Sequence, residues 1–356
     1  MDSTPVARAT EARKSRHLDI CLEDDVRSQL DAGFSAVRLR HEALPECALD
    51  DVDLTATLVG QHLRAPFLIS SMTGGTDRAR TINRNLAVAA ERAGIALALG
   101  SQRAALENPA LLRTYAVRDI APNVVLFSNI GAVQFNYGLT IDDARTIVDN
   151  IEANGLYIHL NPLQEALQPN GDTNFRGLLA RISALCRTLD VPVIAKSVGS
   201  GISVSTATRL LEAGVAAIDV AGAGGTSWAR VEGRRADDPR REELAETFSA
   251  WGYPTVEAVI ALRVARPSAT IVASGGVRSG VDAAKALAVG ADAAAAGLPF
   301  LDAATRSAEA VSERLDFFIT GLRIAMFASG CRRIADLRDA RYVRGSDETL
   351  IADPTI

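Results

Sequence analysis

The sequence predicts an α/β protein, specifically a (β/α)8 barrel. Eight short apolar segments recur along the chain, and helix-like sequence follows each of them. Alternating strands and helices are typical of parallel sheets, and eight such units are the number that closes a barrel. An open, doubly wound sheet of eight strands is the alternative. The predicted strands are 65–70, 95–100, 124–129, 156–161, 192–197, 217–221, 271–274 and 291–297.

The stretches between these segments carry apolar residues at helical spacing. In 203–214, Ala207 and Leu210 fall on one helical face, and Gly214 is a stop signal. The same spacing recurs in 279–290. The connections are therefore predicted to be helices.

Four regions fall outside this repeat. Residues 1–12 are expected to be a disordered tail, and residues 13–64 an N-terminal extension that forms a lid or an outer layer. A long polar insertion, 228–252, follows the sixth strand and would lie on the ligand-binding face. The barrel itself is expected to span 65–344, and residues 345–356 lack an apolar period and should be a tail.

Composition limits the classes of function. The chain has 356 residues, 48% hydrophobic and 23% charged, with a net charge of −5. This charge argues against a protein that coats nucleic acid, and no stretch approaches a membrane span. The four cysteines are scattered and form no CxxC pair, which suits the reducing cytoplasm and indicates neither a zinc site nor a disulfide framework.

The run from His159 to Glu165 is the most informative motif. It follows the apolar fourth segment, and Pro162 forces the chain out of the sheet. His159, Asn161, Gln164 and Glu165 are thereby expected at a strand end, where parallel sheets bind ligands. A carboxylate beside amides and an imidazole can hold a hard cation and a polyoxygen anion together.

The loops after strands seven and eight predict a phosphate site. Gly276, Val277 and Arg278 follow the seventh strand, and Ala296 and Gly297 end the eighth. Glycine lets backbone amides approach an anion, a helix N-terminus favours negative charge, and arginine adds donors. The alternative is a tight turn that merely needs glycine.

Polar residues also follow the other strands, where a purely structural barrel would not need them. Lys196 ends the fifth strand and either holds a ring or oxyanion, or is an outward lysine at the edge of the strand. The remaining candidates are Ser71, Met72 and Thr73 after the first strand, Ser101, Gln102 and Arg103 after the second, Asn129 after the third and Thr226 after the sixth.

A short basic run near the N-terminus contains Arg13, Lys14 and His17. On composition alone it is a solvated, mobile segment. With an anion of diphosphate size in the site, it could fold over and neutralise that anion.

Together these residues resemble the type 2 isopentenyl diphosphate isomerases, the FMN-dependent form. The resemblance covers roughly 13–344, and the His-Leu-Asn-x-x-Gln-Glu run is its most specific part. The matching stretches are Arg13-Lys14 with His17, 70–75, 100–103, 128–132, 159–165, 196–203, 219–232 and 274–282.

The resemblance implies a site for FMN, a substrate and a metal ion. FMN phosphate would lie on Gly276, Val277, Arg278, Ala296 and Gly297 with Thr226 nearby, and the ring and ribityl chain against Ser71, Met72, Thr73, Ser101, Asn129 and Lys196. The substrate diphosphate would contact Arg13, Lys14, His17, Ser101, Gln102, Arg103, His159 and Asn161. Glu165 would hold Mg²⁺, and Gln164 would lie against the prenyl double bond, so that Gln164, His159 and Asn161 form the catalytic group.

The implied reaction is a 1,3 proton shift that interconverts isopentenyl and dimethylallyl diphosphate at reduced FMN. NADPH would be the reductant, and the resemblance also implies a homo-oligomer, a tetramer or octamer. One rival is an FMN-dependent oxidoreductase of the 2-hydroxy-acid type, which would need a histidine base or a cysteine nucleophile at a strand end. Among the histidines only His159 is expected there, and no cysteine qualifies. The other rival is a non-catalytic phosphate-binding barrel.

Overall fold

Twelve short strands appear in a computed structural model that describes the backbone of residues 5–343 and the side chains of residues 12–340. In chain order they are β1 (Val37–Leu39), β2 (Ala56–Leu58), β3 (Gln61–Leu63), β4 (Phe67–Ile69), β5 (Ala96–Ala98), β6 (Val125–Gly131), β7 (Gly155–His159), β8 (Val193–Lys196), β9 (Ala217–Asp219), β10 (Thr270–Ser274), β11 (Ala293–Ala296) and β12 (Arg341–Val343).

Helices occupy most of the sequence between the barrel strands. They are α1 (Pro5–Glu23), α2 (Asp77–Ala93), α3 (Arg103–Glu107), α4 (Ile141–Asp149), α5 (Pro162–Leu167), α6 (Leu178–Thr188), α7 (Val204–Glu212), α8 (Trp228–Arg235), α9 (Pro239–Glu246), α10 (Thr255–Ala265), α11 (Gly280–Ala288), α12 (Leu298–Arg306) and α13 (Ala308–Phe327). Among the helices of residues 5–343, none combines the length and apolar character needed to cross a bilayer.

Strands β4 to β11 form a closed barrel. Each pairs in parallel with the next along the chain, and β11 returns to β4 with Ala294 opposite Phe67. Each of the eight predicted segments overlaps one of these strands, so the predicted barrel is confirmed and the open sheet is excluded. In the closed ring β7 lies opposite β11, which separates their loops across the barrel mouth.

Unequal side chains fill the barrel interior. Phe127 and Tyr157 project inward from β6 and β7, with ring centroids 5.6 Å apart in an edge-to-face arrangement. They share the interior cluster with the alanines of β5 and β11, which leave room for the two rings. The antiparallel hairpin of β2 and β3 adds Leu58 and Leu63 to the same cluster.

The N-terminal segment differs from the expected disordered tail. Residues 5–12 belong to α1, because residues of good helix propensity follow Pro5, which suits a first helical position. Residues 1–4 lie outside the described residues, as does the predicted tail 345–356.

The polar insertion 228–252 is largely helical rather than a loop. Ser227 caps α8 by accepting from the amide of Arg230, and Asp238 caps α9 by accepting from the amide of Arg240. Ile20 of α1 packs with Val231 of α8 in a small buried cluster. The insertion therefore supports α1 at the mouth of the barrel.

Candidate active site

A cavity of about 480 Å³ opens at the carboxyl ends of the barrel strands, beneath α1. Every predicted site residue except Gln102 and Arg103 lines it. The predicted residues that it brings together are Arg13, Lys14, His17, Ser71, Met72, Thr73, Ser101, Asn129, His159, Asn161, Gln164, Glu165, Lys196, Thr226, Gly276, Val277, Arg278, Ala296 and Gly297.

The loops after β9 and β10 pack so closely that glycine is required. Gly276 has φ +77°, and a Cβ there would lie 2.5 Å from Cβ of Ala32 and 2.9 Å from the carbonyl oxygen of Gly224. Arg278 donates to that same carbonyl oxygen at 2.8 Å. Bare backbone beside a guanidinium, just before helix α11, is a suitable cradle for a phosphate.

A hydrogen-bonded chain crosses the cavity floor. Asn129 donates to Oγ of Ser71 at 2.9 Å, and its Oδ1 lies 2.9 Å from Nδ1 of His159. Because Asn129 presents an acceptor, Nδ1 carries the proton of the neutral ring. Burial, together with the positive charges of Lys196 and Lys14, lowers the pKa of His159 to about 3. The imidazole is therefore neutral and a weak base.

Helix α1 places two cations in the cavity. Arg13 donates to Oε1 of Gln168 at 2.9 Å. The ammonium of Lys14 donates to the carbonyl oxygen of Ser101 at 2.7 Å and to the hydroxyl of Tyr115 at 2.8 Å. The basic run thus lies across the barrel mouth and contacts the loops after β5 and β7.

Glu232 is a buried carboxylate that the sequence reasoning did not single out. Its Oε1 accepts from Nε2 of Gln164 at 2.9 Å and lies 3.1 Å from Nε2 of His17, and its Oε2 accepts from Arg235 at 2.7 Å. Burial alone would raise the pKa of Glu232, but His17, Arg235 and Gln164 lower it to about 2. It therefore links His17 of α1 to Gln164. Glu232 is the last residue of 219–232, one of the stretches that carry the resemblance to the family. That match was the one signal in the sequence that could have indicated a functional role for Glu232.

Glu165 and Asn161 present oxygen atoms to the same part of the cavity. Oε1 of Glu165 accepts from Nδ2 of Asn161 at 2.8 Å, and Oε2 accepts from the amide of Asp172 at 2.7 Å. Oδ1 of Asn161 is buried without a hydrogen-bond partner among the described residues. The described part of the chain holds no cluster of three or more acidic, histidine or cysteine ligands. Hence the Glu165 carboxylate and Oδ1 of Asn161 fit a hard cation whose remaining ligands come from a phosphate or water.

Gln102 and Arg103 do not line the cavity. The buried side chain of Gln102 accepts from the amide of Asn129 at 3.3 Å and donates to the carbonyl oxygen of Ile147 at 3.2 Å. Arg103 donates to Asp172 at 2.8 Å. The Gln102 side chain thus turns away from the cavity, because position at a strand end does not reveal which way a side chain turns, and its contact with substrate stays a prediction.

Relatives identify the family. The chain is 50% identical over 336 residues to the isopentenyl-diphosphate delta-isomerase of Stutzerimonas stutzeri, covering 94% of this chain and 97% of the relative. It is 47% identical over 337 residues to that of Nostoc sp., covering 94% and 96%. The chain belongs to the isopentenyl-diphosphate delta-isomerase family. Residues 168–344 of this family member also match the model of the FMN-dependent dehydrogenase family, which supports FMN as its cofactor.

Solved flavin oxidoreductases share the fold of this isomerase-family chain. A mandelate oxidase variant with an FMN adduct has a TM-score of 0.62 at 18% identity, covering 92% of this chain and 90% of that one. A flavocytochrome b2 variant with pyruvate bound has a TM-score of 0.66 at 14% identity, covering 91% and 82%. At such low identity the similarity shows the fold alone. The reaction must be inferred from the residues of the site.

Proposed function

We propose that this enzyme interconverts isopentenyl diphosphate and dimethylallyl diphosphate at reduced FMN, with Mg²⁺ on the diphosphate. The observation that carries the proposal is the presence of two anion sites across one cavity. The glycine cradle lies in the loops after β9 and β10, with Gly297 after β11 in the same cavity, whereas Glu165, Asn161 and Arg13 lie at the loop after β7, opposite β11, and Lys14 lies at the loop after β5. This separation suits the flavin phosphate on one side and a substrate diphosphate on the other.

The flavin ring would lie between the two anion sites. Ser71, Met72, Thr73, Ser101 and Asn129 line that part of the cavity, and Lys196 adds a positive charge. When bound, reduced FMN would supply an electron-rich ring for a proton shift at an alkene, and NADPH would serve as its reductant. Lys196 would stabilise the anionic reduced ring.

The residues after β7 and on α1 would hold and orient the substrate. Arg13 and Lys14 would bind the diphosphate, and Glu165 with Asn161 would hold Mg²⁺ against it. The negative charge of the diphosphate would raise the pKa of the adjacent His159 toward its ordinary range.

Gln164 is well placed to orient the alkene. Its amide is fixed at both ends, since Nε2 donates to Glu232 at 2.9 Å and Oε1 accepts from Asn161 at 3.2 Å. A fixed amide beside the cavity would hold the uncharged prenyl group against the flavin. Closure of α1 would exclude water while the proton moves.

A 2-hydroxy-acid oxidoreductase is less consistent with this site. Such an enzyme needs a base to accept a proton from the substrate, and the pKa of His159 is lowered to about 3 by burial and neighbouring cations. The cavity also contains Cys21, but burial raises the pKa of its thiol to about 12, so it is a poor nucleophile.

An anaerobic assay tests the proposal. Protein loaded with FMN, reduced by NADPH or dithionite and given Mg²⁺, should convert isopentenyl diphosphate to its dimethylallyl isomer without net oxidation. Oxidised FMN under the same conditions should give no product. Absence of product with reduced FMN, or turnover of a 2-hydroxy acid instead, would overturn the proposal. A cytoplasmic location and a homo-oligomer remain predictions, which fractionation and light scattering would check.

Substrate affinity should fall as the pH rises above 7. Burial and the neighbouring charge of Arg13 lower the pKa of Lys14 to about 7 in the anion-free site, and a diphosphate would raise it again. Above pH 7 substrate binding must therefore be accompanied by proton uptake, which weakens binding by about fivefold from pH 7 to 8 and by nearly tenfold per unit beyond.

The matched control for this pH dependence is Lys14→Arg, because a guanidinium stays charged over this range. KM for isopentenyl diphosphate should rise with pH in the parent but much less in the variant. Parallel profiles for the two proteins would show that Lys14 is not the titrating group.

A further inference from the structure

A buried acid lies beside Lys196 in the barrel wall. Lys196 ends β8 and Asp219 ends β9, and the two are paired in the parallel register. Ile194 and Ala217, two residues earlier on each strand, belong to the barrel-interior cluster, so strand alternation directs Lys196 and Asp219 inward as well. Lys196 is 8% exposed and Asp219 is 0% exposed.

The hydrogen bonds around this pair leave charge uncompensated. Oδ1 of Asp219 accepts from Oγ of Ser274 at 2.5 Å and from the amide of Ala221 at 3.2 Å, whereas its Oδ2 lies near the Tyr157 hydroxyl without a hydrogen bond of ordinary length. Burial raises the pKa of Asp219, and the charge of Lys196 with the donors Ser274, Ala221 and Tyr157 opposes that shift. The ammonium of Lys196 donates to the carbonyl oxygen of Ser197 at 2.8 Å. Burying an ammonium whose only hydrogen bond is to a carbonyl oxygen costs free energy, and a neighbouring carboxylate offsets that cost.

We propose that Asp219 is the buried counter-ion of Lys196 and, as a positioning residue, keeps a positive charge facing the flavin. This inference rests on the proposed function only in that Lys196 faces bound FMN. An acid with no opening to the cavity cannot contact substrate, so its effect must pass through Lys196. The competing explanation is purely structural, with Asp219 anchoring the turn at Ala221 and the end of β10.

Lys14, whose pKa is lowered to about 7 by burial and by Arg13, titrates in the parent and in the Asp219 variant alike, so a difference between their profiles belongs to the pair. Burial lowers the pKa of Lys196, and the charge of Asp219 opposes that shift. The other titratable groups facing the pair are Tyr157 and His159. Burial and the charge of Asp219 raise the pKa of Tyr157 well above its usual value, and the pKa of His159 is about 3, so both stay neutral between pH 6 and 9.

The test is the midpoint potential of bound FMN, measured against pH in Asp219→Asn. Asparagine keeps the volume and can still accept from Ser274, but it removes the negative charge. Without that charge the pKa of Lys196 should fall further, because the carboxylate no longer opposes the effect of burial, and the ammonium should lose its proton as the pH is raised. The potential should then show a break that the parent lacks, with lower values above it, because the reduced anion loses its counter-charge.

A double variant separates the two explanations. Asp219→Asn combined with Lys196→Met should show no break, since the titrating ammonium is gone, whereas a structural anchor would behave alike with or without Lys196. A profile of Asp219→Asn parallel to that of the parent would overturn the inference. If Asp219→Asn does not fold, Ser274→Ala takes its place, because losing that donor makes the carboxylate less able to stay charged. Because Ser274 also lines the cavity, its effect is compared with that of Ser274→Ala combined with Lys196→Met. Ser274→Ala should move the potential in the same direction, and an unmoved profile would count against the inference.

Failure of the proposed function would look different. A parent protein that binds FMN but does not isomerise isopentenyl diphosphate, while Asp219→Asn still shows the break, would overturn the function and support the role of Asp219. An active parent with an unbroken Asp219→Asn profile would do the reverse.

Discussion

Replacing Glu165 with glutamine should lower kcat/KM by about 100-fold or more and abolish the response to Mg²⁺, while the FMN content stays unchanged. Glutamine preserves the shape and one acceptor but loses the charge that a divalent cation requires. The buried carboxylate lies beside the unpartnered Oδ1 of Asn161, so the effect should be confined to the side of the cavity away from the flavin phosphate. The measurements are isomerisation rate against Mg²⁺ concentration and the flavin absorbance of the purified protein.

Asp172→Asn is the matched control for Glu165→Gln. Asp172 is a nearby carboxylate that does not line the cavity, and its Oδ2 accepts from Arg103 at 2.8 Å and from Gln134 at 3.0 Å. This variant should keep its Mg²⁺ response. Loss of FMN from Glu165→Gln would instead place Glu165 in the flavin pocket and contradict our division of the cavity.

Removing both lid cations should have an effect of similar or greater size. In Arg13→Ala/Lys14→Ala, two charge-assisted contacts to the diphosphate disappear. At about 1.5–3 kcal/mol each, their loss corresponds to roughly 10²- to 10⁴-fold in kcat/KM. The protein should remain yellow and folded, because neither side chain belongs to the hydrophobic core of the barrel. Steady-state kinetics, flavin content and melting temperature measure these effects.

Arg16→Ala provides the control for charge and helix. Arg16 lies on the same helix, α1, but its side chain is exposed to solvent. Its removal takes one positive charge from the same helix without touching the cavity, so kcat/KM should stay within about twofold of the parent. A double variant at Arg13 and Lys14 that behaves like Arg16→Ala would return the basic run to a solvated segment.

The barrel could be predicted because its signals are local. Each strand is a short apolar run bounded by turn residues, and each helix after it carries its own apolar period, so no long-range knowledge was needed to count eight units. The strand-end rule then placed His159, Lys196 and Gly276 at one mouth, and the structure shows all three lining the same cavity.

The remaining features depend on contacts between distant segments. Glu232 lies in a polar stretch without an apolar period, and only its contacts with His17 and Gln164 reveal that it is buried. Gln102 follows its strand just as Ser101 does, yet it turns back toward the carbonyl oxygen of Ile147. Neither outcome is encoded in spacing along the chain.

The unequal filling of the barrel interior implies a rule for sequence change among relatives. Phe127 and Tyr157 occupy space that the short side chains of Ala96 and Ala295 leave open. A larger residue at either alanine would collide with these rings unless they became smaller, since a close-packed interior tolerates exchange of volume better than its addition. A larger residue at Ala96 or Ala295 should therefore occur together with a smaller one at Phe127 or Tyr157. A variant that enlarges an alanine without reducing an aromatic residue should fold poorly.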